Sequence, residues 1–214
     1  MKHALVLSGG GAFGAYAVGV TKALSERYGD FARNVQTLTG TSVGAFNIAV
    51  LASTPDGKDP AEHLEDVWVK HVAGPGPGLT NPVYGFRADF VRYADPAWVF
   101  RDPVGATMEV VDSASYLATA FTKRAFGLLR PGTPFEQGVF NLVDVSEFFS
   151  VTPLSKLIAR CIDFEQIQQS PYEIAIVATN WTKGTLRIFG KKELQGELGP
   201  KAIQASAAIP GIFP

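Results

Sequence analysis

Apolar residues run first as a short block, Ala4 to Leu7, which stops at the glycine turn Gly9-Gly10-Gly11. A block of that length ending in glycine predicts a buried parallel strand. Helical spacing takes over from about Gly14 to Tyr28, where Tyr16, Val20, Ala23, Leu24 and Arg27 recur on one face. A second apolar strand, Val35 to Thr39, is cut off by Gly40, and Val43 to Ser53 reads as an apolar helix. Two strand-to-helix transitions within about 50 residues predict an α/β fold, with a mostly parallel sheet covered by helices.

Further along, Leu64, Val67, Trp68, His71 and Val72 keep helical spacing from Pro60 to Val72. The Gly- and Pro-rich stretch Gly74 to Pro82 breaks that pattern. Between Tyr84 and Ser150 the periodicity weakens: Phe86, Phe90, Tyr93, Trp98 and Phe100 are scattered among turn residues, with one helix expected from Ser113 to Leu129. Residues 75–150 therefore read as a cap or insertion within a single domain spanning 1–214. Thr152 and Pro153 make an N-cap and first helical position, and Leu154, Leu157, Ile158 and Cys161 continue that helix. Tyr172 to Ala178 and Thr185 to Phe189 read as two more core strands, and Lys201 to Ala208 as a short helix.

Composition narrows the possibilities. Hydrophobic residues make up 46% of the 214 positions, enough for a well-filled core. Charged residues are only 18% and phenylalanines number 15, which leaves apolar surface for a greasy ligand or an interface. The net charge of −1, with Lys and Arg scattered, offers no basic stripe for a phosphate backbone, so nucleic acid is not an expected partner. A single cysteine, Cys161, forms no internal disulfide and falls on an apolar helix stripe as a core residue. The start of the chain imitates a signal peptide, with Lys2, the block Ala4 to Leu7 and a cleavage-like Ala15-Tyr16-Ala17. Glycines 9 to 11 interrupt that block, and no apolar run approaches the roughly 18 residues of a membrane span. The expectation is a cytoplasmic or peripheral membrane protein without a cleavable signal.

Two motifs carry chemistry. Gly40-Thr41-Ser42-Val43-Gly44 fits Gly-X-Ser-X-Gly, the nucleophile elbow, in which Ser sits on a sharp turn from strand to helix. The glycines leave room where strand and helix nearly collide, and Ser42 falls at a helix N-terminus, where free amides favour negative charge. Gly9-Gly10-Gly11-Ala12-Phe13-Gly14 follows the first strand and opens the first helix, so its amides can turn inward as donors to an oxyanion. The same letters match the dinucleotide fingerprint, but a second strand ending Leu38-Thr39-Gly40 lacks the acidic residue that would hold a ribose. A glycine turn serving only tight packing is the remaining alternative.

An elbow Ser needs a base, which in ordinary α/β-hydrolases is a His far downstream. The three His residues, His3, His63 and His71, all come early. His71 lies on an apolar helix face as a core residue and His63 reads as solvated. A Ser-Asp dyad, in which a carboxylate takes the Ser proton directly, fits better.

At these residues the chain resembles the patatin-like phospholipase family. The resemblance is carried by Leu5 to Gly14, by the elbow Gly40 to Gly44, and by the end segment Ala205-Ser206-Ala207-Ala208-Ile209-Pro210-Gly211-Ile212-Phe213-Pro214. It implies a three-layer α/β/α domain that cleaves acyl esters of lipids through a Ser-Asp dyad, with no metal or other cofactor in the catalytic step. By that carry-over Ser42 is the catalytic nucleophile, Gly9, Gly10 and Gly11 form the oxyanion hole, and Gly14, Gly40 and Gly44 are motif glycines. The implied partners are a lipid ester substrate and a membrane surface. Two departures stand out. Where the family usually carries Arg or Lys in the glycine run, this chain has Phe13. The family's catalytic Asp belongs to an Asp-Gly segment after the Pro-rich stretch, so it is expected beyond Pro214, with residues 1–214 alone hydrolysing little. The single Asp-Gly, Asp56-Gly57, reads as a surface turn, and Asp144 and Asp163 as solvated residues. The alternative reading is a lipid-binding or scaffold domain without turnover.

Overall fold

The structure, a computed structural model, describes residues 3–29, 34–73 and 152–209, with the backbone of two further strands at Gly85–Phe86 and Phe149–Ser150. By internal contacts the chain divides into two compact units. One comprises 1–84 and 151–208, the other 85–150 and 209–214.

The first unit opens with β1 (His3–Leu7), a single 3-10 turn (Gly11–Phe13), α1 (Gly14–Arg27), β2 (Val35–Thr41), α2 (Val43–Ala52) and α3 (Pro60–Val67), the last extended by a π-helical turn, Trp68–Val72. In the second unit β3 (Gly85–Phe86) and β4 (Phe149–Ser150) pair antiparallel. The first unit resumes with α4 (Thr152–Cys161), α5 (Phe164–Gln169), β5 (Glu173–Asn180), β6 (Thr185–Gly190) and α6 (Leu198–Ala207). Strand order is β1-β2-β5-β6, parallel across the first three and antiparallel only at β6. Helices flank this mostly parallel sheet, as the alternating pattern predicts, in the α/β/α arrangement that the family resemblance implies.

The core centres on α2. Every residue from Gly44 to Ala52 is buried, so the helix is apolar all round because it has no solvent face, packing on β1, β2 and β5 and against α1, α3 and α6. Leu38, Ile176, Leu64, Ile158 and Ile203 close around it at 4% exposure or less, and Cys161 is buried as its stripe predicts.

Several expectations need correcting. β1 is parallel but mostly not buried: at the edge of the described sheet it has one neighbour, Leu7 is buried and Leu5 packs half-buried against the core, while Val6 is 70% exposed. The inward face of α1 is not the Tyr16 and Val20 stripe, both of which are exposed; Gly14, Val18 and Thr21 are buried instead. The reason is closeness. α1 packs against α2 and α3, and a Cβ on Gly14 would overlap a Val43 methyl and lie 2.8 Å from the Trp68 ring. Small residues fit that gap and a tyrosine does not. β6 forms where expected but is not a core strand, since Leu186 and Ile188 on one of its faces are exposed. Strand β2 runs through Gly40 to Thr41, two residues past its expected end, and α4 begins at Thr152 itself. Helix α5 was not foreseen; its signal is Asp163, whose carboxylate accepts from the Glu165 and Gln166 amides as an N-cap rather than being merely solvated. The expected helix at Ser113 to Leu129, the aromatic middle segment, the Gly- and Pro-rich break and Asp144 lie outside the described residues.

Candidate active site

Sheet register sets the site. Leu7 pairs with Gly40 and Gly40 with Ile176, so β1 and β2 end within one residue of each other at the same edge, beside β5, which runs on to Asn180. The loops that follow β1 and β2 must therefore meet at the carboxyl ends of the strands, where open α/β sheets bind ligands. They do: a Cβ on Gly9 would lie 3.1 Å from the Ser42 Cβ and 3.8 Å from its Oγ. A side chain at Gly9 would thus press on position 42, which would have to give by a few tenths of an ångström.

Ser42 itself has φ 56° and ψ −124°, and it is the only non-glycine residue with positive φ among those described. A non-glycine side chain held there is strained, at a cost on the order of 1–3 kcal/mol. The surrounding glycines show what enforces the turn. A Cβ at Gly44 would overlap the Leu7 carbonyl oxygen, and one at Gly40 would lie 2.5 Å from the Gly44 carbonyl carbon. Strand β1, the end of β2 and the first turn of α2 are pressed together at these two points, which leaves the chain no room to unwind at Ser42. The turn aims the side chain away from its own helix. Serine at an N-cap normally accepts from the backbone one turn on, but Ser42 makes no such bond, and its hydroxyl has no hydrogen-bond partner among the described residues.

The glycine run supplies donors opposite. Gly11 has φ 56° with nothing near its missing side chain, and the Phe13 amide donates to the Gly10 carbonyl at 3.1 Å to close a short turn. The amides of Gly10 and Gly11 donate to no acceptor among the described residues. Gly11, Ala12 and Ser42 line one cavity of about 330 Å³. Its other walls are Val43 and Phe46 from α2, Trp68, Val72 and Ala73 from the π turn, Leu154 and Leu157 from α4, and Ile203 and Ala207 from α6. None of the described residues that line it carries an acidic, basic or thiol side chain. Apart from the Ser42 hydroxyl, the described side chains that line this space are apolar or aromatic.

The π turn explains part of that wall. The Ala73 amide donates to the Trp68 carbonyl five residues back, at 2.7 Å. This wider turn carries Trp68, Val72 and Ala73 onto the same cavity, a departure from the continuous helix expected to Val72. Trp68 is pinned in place, its indole N–H donating to Asn47 Oδ1 at 2.8 Å, while Asn47 Nδ2 donates to the Gly14 carbonyl at 3.2 Å. Asn47 is fully buried. It joins the start of α1, the central helix and the cavity wall through one side chain. Trp68→Phe should leave the Asn47 oxygen buried without a donor and lower stability by about 1–3 kcal/mol, measured by urea denaturation.

The histidines stand apart from this cavity. His71 is half-buried rather than in the core, and His63 is also half-buried rather than solvated. Burial, with Lys58 nearby, pushes the His63 imidazole below its ordinary value. Asp56 and Gly57 form an exposed turn, as the dipeptide predicts. Among the described residues no group of three His, Cys, Asp or Glu is placed to hold a metal ion, and no helix is long and apolar enough to cross a membrane.

The sequence model of the patatin-like phospholipase family matches residues 5–214. The chain belongs to that family. Lipid acyl hydrolysis is the activity of patatin-like proteins as a class, which agrees with an apolar cavity opening onto an elbow serine. One solved structure, VipD from Legionella pneumophila, aligns with 99% of this patatin-like chain and 43% of its own, at 22% identity and a TM-score of 0.46. The chain thus spans less than half the length of VipD. No curated protein matches it.

Two buried polar residues that brace this arrangement, Asn47 and Ser206, are not singled out by the sequence. Asn47 is a lone amide inside an otherwise apolar helix, a signal that a buried polar contact must exist. Ser206 lies within the end segment, where the sequence alone gives it no role.

Proposed function

We propose that the protein is a serine acyl-ester hydrolase of the phospholipase A or lysophospholipase type, with Ser42 as nucleophile. The observation that carries this reading is the strained Ser42, its hydroxyl unpaired among the described residues, set between free glycine amides and an apolar cavity. Ser42 Oγ attacks the ester carbonyl carbon while its proton passes to an Asp carboxylate, the base of the family's dyad, carried there by an Asp-Gly segment after the Pro-rich stretch. The carbonyl oxygen takes the negative charge, and the Gly10 and Gly11 amides, with Gly9 giving the clearance, hold it. Collapse expels the alcohol, which receives the proton, and water then attacks the acyl-serine by the reverse sequence to release the fatty acid and restore Ser42.

The cavity would receive the acyl chain. Each methylene moved from water onto its wall contributes about 0.8 kcal/mol. Residues 75–150 are proposed as the cap of the same domain, with membrane contact only peripheral. The test is release of fatty acid from phosphatidylcholine and lysophosphatidylcholine vesicles by the full-length protein. Turnover supports the hydrolase; vesicle binding with no release from either lipid would instead identify a lipid-binding domain that keeps the fold without turnover.

Phe13 bears on headgroup choice. It is 81% exposed at the end of the glycine turn, so Phe13→Arg should change stability by no more than about 0.5 kcal/mol. The restored cation should raise kcat/KM on an anionic phospholipid about three- to tenfold relative to a neutral ester of the same acyl chain. Parallel assays on phosphatidylglycerol and a monoacylglycerol check this.

A further inference from the structure

Ser206, near the end of α6, is buried and makes two hydrogen bonds that no expectation above uses. Its Oγ accepts from the Ser42 amide at 2.8 Å and donates to the Val177 carbonyl at 2.6 Å. Val177 is the β5 partner of Thr41, the last residue of β2. Ser42 is therefore the first residue past the ladder, and its amide is the group a continued strand would offer to β5. The sharp turn withdraws that amide, and the Ser206 hydroxyl fills the gap as an extra rung.

We infer that Ser206 is a positioning residue for the Ser42 nucleophile, an inference that rests on the hydrolase reading above. The competing state is visible in the geometry. Ser42 occupies an N-cap position without capping. Were its peptide free to rotate into the extended region, the hydroxyl would turn back to bond the α2 amides and relieve the positive φ, the ordinary condition of an N-cap serine. Such a capped serine does not face the cavity. By gripping the Ser42 amide, Ser206 opposes this relaxation and holds the hydroxyl free. The grip is anchored twice, since the same hydroxyl is tied to β5, and α6 also places Ile203 and Ala207 on the cavity wall. Removing the hydroxyl shifts the population of Ser42 toward the capped form, which lowers the competent fraction of enzyme without altering the acyl wall.

The test uses the full-length protein, a soluble p-nitrophenyl ester and a fluorophosphonate that labels Ser42. Three variants are compared: Ser206→Ala, Ser206→Cys, which keeps the volume but weakens both bonds, and Ser206→Thr, which restores a hydroxyl. The expected result is a fall in kcat of about 10- to 100-fold for Ala and Cys, the scale of a misplaced reacting group. KM should stay within about twofold of wild type, and the labelling rate should fall in parallel with kcat. Thr should recover at least half of the activity. Wild-type kcat in the Cys variant, or a rise in KM at unchanged kcat, would overturn the inference. So would loss of the fold in both Ala and Cys, which would make Ser206 a clamp on the structure alone. Wild-type protein that neither hydrolyses the ester nor takes up the label would remove the hydrolase reading, and the role of Ser206 with it; that outcome is separate because it appears before any Ser206 variant is made.

Discussion

Ser42→Ala should lower kcat on any acyl ester by at least about 10⁴-fold, the scale of loss when a hydrolase gives up its nucleophile. Melting temperature should stay within about 2 °C of wild type, since the hydroxyl bonds to nothing among the described residues. Position 42 adds a second readout, because its backbone at φ 56° suits glycine better than any residue with a Cβ. Ser42→Gly should be as inactive as Ser42→Ala but more stable by about 1 kcal/mol, as expected where strain is held for function. Measured by ester hydrolysis and calorimetry on the same three proteins, an inactive pair with Gly above Ala in stability separates a functional serine from one kept for folding. Retained turnover in either variant would contradict the assignment.

Gly44→Ala should have the largest effect on the fold. The added methyl would overlap the Leu7 carbonyl oxygen and lie 2.7 Å from its carbon and 2.9 Å from the Ser8 oxygen. These are backbone atoms, which no rotamer change can move aside. The variant must push β1 away from α2, at a cost of about 3 kcal/mol or more. A loss of that size lowers the melting temperature of a domain like this by about 6–12 °C. The same displacement carries Gly9 to Gly11 away from Ser42, so activity should fall with stability. Gly19→Ala is the contrast: nothing lies within 4 Å of its added methyl, and alanine in a helix interior should gain about 0.5–1 kcal/mol. Calorimetry of the pair distinguishes glycines that are required by contact from one that is not.

How much of this was legible in the sequence depends on how local each cause is. The elbow and the glycine run are local, since turn chemistry and adjacent apolar blocks suffice to place Gly9 and Ser42 on loops after consecutive parallel strands. The need for Gly40 and Gly44 could also be read as close approach of strand and helix, though not that Leu7 and Ser8 of the first strand and loop are what Gly44 meets. The inward face of α1 was misread because hydrophobic periodicity rewards large residues, whereas this helix lies so close to Val43 and Trp68 that it buries Gly14, Val18 and Thr21. Thr21 escapes a desolvation penalty by donating to the Ala17 carbonyl at 2.7 Å, which alone lets a polar residue sit at 1% exposure. Strand β6 misled for a related reason: Leu186 and Ile188 alternate as a core strand would, but that face is open at the sheet edge. Asn47 carries a signal of buried polar contact but not of its partners, and Ser206 carries none. Their bonds join segments 164 and 33 residues apart, and only the folded chain brings those groups within reach.

The central claim is spatial: a hydroxyl at position 42 shares one site with the amides of the first loop. A crystal structure of the full-length protein after reaction with a fluorophosphonate ester tests it most directly. The account predicts a phosphonyl group bonded to Ser42 Oγ, its acyl-like arm in the cavity beside Phe46 and Leu157, and its phosphoryl oxygen about 2.7–3.1 Å from the amides of Gly10 and Gly11. An adduct on another residue, or one at Ser42 whose phosphoryl oxygen lies away from that loop, would contradict it.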